Sequence, residues 1–139
     1  MTEKRTWVRF VLALLAVDEL FIGLWALVDP AGFYRGFPGL GRHWVAFDGP
    51  YNHHLLIDAG AGFFAVGVAL AIATVWMRRE VIQAAAAVLV AHELPHFLYH
   101  LTHPLKVLGS TDTMLSTGGL AIVTAAGVVV FAAVSRRPS

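Results

Sequence analysis

The stretch VAHELPHFLYHLTHPL, residues 90–105, holds four histidines, a glutamate and two prolines in a chain that is 58% hydrophobic. Imidazole and carboxylate side by side are the ligand set of a divalent transition metal, or the working parts of a proton relay. On a helix advancing 100° per residue, His92, His96, Tyr99, His100 and His103 fall within about 100° of arc, with Glu93 at the border. One continuous face allows several of them to converge. A spacing of four between histidines also permits two ligands from a single helix. HELPH has the form H-E-x-x-H of zinc peptidases, yet Pro95 occupies its interior and neither a third ligand nor a substrate cleft accompanies it. A peptidase is therefore not the expected reading.

Partners for this face are found elsewhere in the chain. His54 and Asp58 are four residues apart and share a helical face, continued by Gly62, Ala65 and Ala69; small residues next to an acid mark a helix-packing surface, so Asp58 is expected to face the bundle interior. Glu19 is followed on its own face by Gly23 and Ala26, again a packing pattern, whereas Asp18 points about 100° away. The candidate ligands are His96, His92, His100, His54, Asp58, Glu19 and Glu93. His96 lies one turn from both His92 and His100, so a site using two residues of this helix is expected to include it. The set carries no thiolate, and its only thioethers are Met1, Met77 and Met114. That favours zinc, ferrous iron or manganese over cuprous copper. Haem ligated by His54 with His96 or His100 is the rival cofactor, disfavoured by the crowding of carboxylates.

These residues are held by elements suited to a membrane. Mean hydropathy is +0.68 and charged residues make up 14%, against roughly a quarter in soluble proteins. Four apolar runs, 7–28, 55–76, 81–101 and 114–134, each match a hydrocarbon core about 30 Å thick at about 1.5 Å per residue. The first run carries Asp18 and Glu19 in its middle and lacks a small-residue cleavage site, so it is expected to remain as a span rather than be removed as a signal peptide. An all-α, single-domain four-helix membrane bundle follows. Lys4, Arg5, Arg9, Arg78, Arg79, Arg136 and Arg137 would share one side, while Arg35, Arg42 and Lys106 would share the other. This bias predicts both termini in the cytoplasm.

With that topology all seven histidines, His43, His53 and His54 included, lie at mid-membrane or outward of it. Asp18 and Glu19 come level with His92 and Glu93 on the third span, read as antiparallel to the first. An ionisable group at that depth costs at least ~2.5 kcal/mol, so partners are required. Pro95 removes a backbone hydrogen bond between His92 and His96 and frees a carbonyl near Ala91, which fits a kink beside a pocket. The connection between the first two spans, 29–54, is long and aromatic; Phe33, Tyr34, Phe37, Trp44, Phe47 and Tyr51 suit an interfacial belt or a lid over the histidines. Gly118, Gly119 and the stretch from Ala121 to Ala126 are read as close-packing residues of the fourth span.

The absence of cysteine excludes disulfides, iron–sulfur ligation and thiolate catalysis. A net charge of +1 and the lack of a glycine-rich phosphate loop give no case for nucleic acid.

FIGLWALVDPAGFYRGFPGLGRHW, followed by GPYNHHLLIDAGAGF, resembles the first half of small bacterial membrane proteins of the DoxX-like group. The resemblance implies a four-helix membrane bundle and, loosely, a place near quinone or redox chemistry; it assigns no catalytic residue. The expected protein belongs to a bacterial cytoplasmic membrane. Its partners are the lipid bilayer and either other membrane subunits or a second copy. A metal-bound water or oxidant acting on a lipid-soluble substrate is one expectation. A non-catalytic accessory subunit whose polar cluster serves assembly is another, and proton or substrate handling without a metal, or a haem- or quinone-linked redox subunit, stays open.

Overall fold

A computed structural model describes residues 2–104 and 108–135, with side chains from Arg5 onward. The positions of Lys106, Arg136 and Arg137, and the side chain of Lys4, lie outside what is described. Six helices make up the described chain: α1 (Thr2–Val28), α2 (Pro30–Gly36), α3 (Trp44–Asp48), α4 (His53–Trp76), α5 (Arg79–Thr102) and α6 (Ser110–Ser135). Four of them, α1, α4, α5 and α6, are long and apolar enough to cross a membrane. The chain is thus an all-helical, multi-pass membrane bundle, with α2 and α3 folded inside the connection between the first two spans.

Local chemistry sets the breaks. Val28 is followed by Asp29-Pro30, where Asp29 caps α2 by accepting from the Gly32 amide at 2.8 Å and proline takes the first helical position, which needs no donor. Asn52 caps α4 in the same way through the Leu55 amide. Between α4 and α5 the turn is two residues long; Met77 takes a left-handed conformation (φ 50°) and its amide closes on Ala73 O at 2.9 Å. α5 runs unbroken through Pro95.

The helices pair as two antiparallel hairpins, α1 with α4 and α5 with α6, joined mainly through α4 and α5. Glycine sets the first pairing. A Cβ on Gly60 would stand 2.9 Å from the Ala26 Cβ, and one on Gly67 2.7 Å from the Leu20 Cγ, so the two backbones approach as only glycine allows. Gly23 lies against the Phe64 backbone in the same seam. Two chain reversals separate α1 from α5, so these spans run parallel; the antiparallel reading of the third span is corrected, although the levelling of Glu19 with Glu93 stands.

Packing is uneven along the bundle. Val8, Leu12, Leu15 and Ala16 of α1 meet Val66, Leu70, Ala73 and Met77 of α4, Ile82, Ala85, Ala86 and Leu89 of α5, and Val130 of α6 in one dry core. All of these lie toward the end that carries the start of α1, the α4–α5 turn and the end of α6. Polar ties close that end: the Arg5 guanidinium donates to Met77 O at 3.4 Å, Arg79 to Ser135 O at 2.8 Å, and Gln83 to the Ser135 hydroxyl at 2.9 Å. Toward the other end the hairpins part. α1 and α6 touch only lightly, and at this end a separate cluster of Ala26, Phe33 and Leu56, flanked by Trp25, Tyr34 and Phe37, takes over.

Two packing expectations change. A Cβ placed on Gly118 or Gly119 would meet nothing within 4 Å, whereas Gly127 packs on Val90 and Leu89; α6 therefore opens space with its first glycines and closes it with the last. The α1 contact of α4 uses Gly60 and Gly67, while Gly62 turns to α5, where a Cβ would stand 3.3 Å from the His92 Nε2.

Candidate functional site

Where the dry core ends, two glutamates meet. Glu19 of α1 and Glu93 of α5 are each 1% exposed, the only buried acids among the described residues. Glu19 reaches this place because it shares a face with Gly23 and Ala26, which lie in the α1–α4 seam. Glu93 is carried by the same side of α5 that buries Ala86 and Leu89.

Glu93 organises its own helix. Its Oε1 pairs with His92 Nδ1 at 2.9 Å and its Oε2 lies 3.8 Å from His96 Nδ1. Phe63 of α4 stands edge-on to the His92 ring at 4.7 Å and to the His96 ring at 5.9 Å. His92 is thereby held between a carboxylate, an aromatic ring and the bare Cα of Gly62. Glu19, His92 and Glu93 each offer one ligating atom, and these atoms lie within 4.8 Å of one another. Glu19 Oε2 is buried without a hydrogen-bond partner. A buried carboxylate oxygen left unpaired costs several kcal/mol, so this geometry is suited to receiving a cation or a proton.

Above the group lies a cavity of about 950 Å³, walled by α1, α4, α5 and α6. Glu19, Glu93, His96 and His100 line it; the rings of His96 and His100 stand 5.0 Å apart. Its roof is built from the α1–α4 connection, with Phe33 and Phe37 of the α2 end and Trp44, Val45 and Asp48 of α3 all lining it. The roof is fastened to α6: Asp112 accepts from Arg42 Nε at 2.8 Å and from Trp44 Nε1 at 3.0 Å. Residues of the aromatic segment thus line one end of the cavity.

The seven candidate ligands divide into three sets. Glu19, His92 and Glu93 converge; His96 and His100 line the cavity beside them. His54 and Asp58 do neither: they pair with each other at 3.3 Å on a side of α4 where their side chains are 87% and 61% exposed. The expectation that Asp58 faces the bundle interior is corrected, because α4 turns Gly60 and Gly67, not the Asp58–Gly62 stripe, toward α1. His54 also does not line the cavity into which His96 and His100 project, so the structure brings no such axial pair together around a haem.

The single histidine face is divided as well. Tyr99 and His103 stack at 4.7 Å on the exposed side, and His103 caps α5, its amide bonding to Tyr99 O at 2.8 Å. Two acids outside the candidate set do line the cavity, Asp18 and Asp48. Asp18 points away from Glu19, and that angle is what places it at the cavity mouth. Asp48 sits in a short helix that aromatic composition alone does not reveal.

Compared with protein-family models, curated proteins and solved structures, the chain matches none.

Proposed function

We propose that this is a multi-pass protein of a bacterial cytoplasmic membrane whose intramembrane site of Glu19, His92 and Glu93 holds a divalent transition metal, zinc or iron, beside a cavity open to lipid-soluble molecules. The observation that carries the reading is the convergence of three ligating atoms within 4.8 Å in which both acids are buried and Glu19 Oε2 has no partner. A cation shared by two carboxylates and an imidazole satisfies that oxygen and offsets the burial of two like charges. His96, 3.8 Å from Glu93, stands ready to join or orient the shell. The metal would polarise a bound water or a substrate oxygen at the cavity floor.

Orientation rests on the basic residues. Arg5, Arg9, Arg78 and Arg79 belong to the dry end of the bundle, which we assign to the cytoplasm, leaving the roofed cavity and its aromatic connection facing outward. Kinship with the DoxX-like group, proposed on the first-half segments alone, is compatible with this arrangement.

Elemental analysis of protein purified without chelator after metal-replete expression tests the reading. Near-stoichiometric zinc or iron supports it; background metal sinks it. The second reading, an accessory subunit whose polar cluster serves assembly, is favoured by the His92–Glu93 bond of 2.9 Å, which pairs those two groups without any ion. Background metal together with loss of folding on breaking that bond would select it.

A further inference from the structure

The cavity contains more carboxyl groups than the three-residue group uses. Asp18, Glu19, Asp48 and Glu93 all line it, and among the described residues no lysine or arginine does. Among the described residues, His96 and His100 are the only other titratable groups on its walls. Arg42, in the roof connection, spends its Nε on Asp112. At the same time the walls are apolar and aromatic: Phe37, Trp44 and Phe63 come from three different elements. At about 950 Å³ the space far exceeds one metal ion and matches the upper range of small-molecule pockets, ~300–1,000 Å³.

The cavity also has a side opening. Leu14 and Phe21 of α1 and Leu115 and Ile122 of α6 line it while remaining 55%, 54%, 50% and 72% exposed. These residues form the lips of a gap between α1 and α6, within both spans, which in the proposed membrane placement would face hydrocarbon. In that placement a guest would reach the carboxylates from within the bilayer.

We propose that this cavity binds a lipophilic organic cation, an amine or onium group carrying apolar or aromatic bulk, which enters laterally between α1 and α6. Carboxylates without a lysine or arginine beside them attract the charge, ring faces attract it further through their quadrupoles, and the apolar walls take up the hydrocarbon body. Glu19, 1% exposed with its Oε2 unpartnered and lining the cavity, is the deepest anchor; Asp18 and Asp48 hold the charge nearer the mouth and roof. The proposal does not depend on a metal at Glu19, His92 and Glu93, because Asp18 and Asp48 lie outside that group.

Tetraphenylphosphonium is the probe, titrated into the full chain in detergent after chelator treatment, with intrinsic tryptophan fluorescence and equilibrium dialysis as readouts. Saturable binding near one per chain is expected. Asp18→Asn and Asp48→Asn are each expected to weaken it by about tenfold, the scale of losing one charge from a partly desolvated site. The phosphonium titration is run after chelator treatment and the metal assay without chelator, so the two readings can fail separately. Tetraphenylborate, the size-matched anion, needs no variant and should not bind saturably. Equal binding of the two ions would overturn the charge reading. Absence of saturable phosphonium binding to wild type, as when a second copy seals the α1–α6 gap in a dimer, would overturn the proposal outright.

Discussion

Glu19 and Glu93 are the residues on which the site turns. Two acids at 1% exposure, brought together without lysine or arginine, are stable only with a proton, a histidine or a metal between them. His92 is the histidine inside the group and His96 the one beside it, which orders the expected effects of substitution. His92→Ala is expected to remove most bound metal, and His96→Ala to lower its affinity by about 10–100-fold, the usual effect of removing a supporting partner. Elemental analysis before and after dialysis against a weak chelator measures both. Glu19→Gln should also release the metal yet leave the chain folded, since the amide keeps the shape and removes a buried charge. Metal kept at wild-type level in His92→Ala would show that the ligands lie elsewhere.

Among the elements, glycine makes opposite contributions in α4 and α6. In α4, a methyl group at Gly67 meets the Leu20 amide nitrogen at 2.8 Å and cannot be accommodated without moving backbone. Gly67→Ala is expected to destabilise the α1–α4 hairpin by about 1–3 kcal/mol, visible as a lower melting temperature in detergent. In α6, Gly118 has free space within 4 Å, so Gly118→Ala should be neutral or stabilising by up to about 1 kcal/mol through helix propensity. A second element-level device is the roof. Asp112 alone holds both Arg42 and Trp44, and Asp112→Ala should loosen the connection without unfolding the spans. Hydrogen exchange of residues 37–48 should accelerate by roughly tenfold, corresponding to about 1–2 kcal/mol of lost local stability. Unchanged exchange there would mean that ring packing, not Asp112, fastens the roof.

The bundle taken entire is dry at one end and hollow at the other. Among the described basic side chains, Arg5, Arg9, Arg78 and Arg79 lie at the dry end. A reporter fused after Ser139 should accordingly read as cytoplasmic, and periplasmic activity would invert the site's orientation. If a metal bridges α1 to α5, it ties the two hairpins together near their parting point. Metal at about 100 times its dissociation constant would then add about 2.7 kcal/mol, and chelation should lower the melting temperature of wild type but not of His92→Ala.

The spans were legible in sequence because they depend on composition summed over a helix length, which neighbours do not alter. The apolar runs end at 28, 76, 101 and 134, and the helices end at Val28, Trp76, Thr102 and Ser135. Glu19 was legible too, through the small residues Gly23 and Ala26 one and two turns on. Asp58 carried the same local mark beside Gly62 and nevertheless lies exposed, since a stripe of small residues says that something packs there without saying which helix. That choice is made by the rotation of α4, which is set when Gly60 and Gly67, rather than Gly62, admit α1. Likewise the histidine periodicity established one face of α5, but only the positions of α4 and α6 around it divide that face into Glu93 and His92 against Glu19, His96 and His100 in the cavity, and His103 outside. Helical period is a property of one chain segment; which part of the turn is buried depends on the elements that surround it.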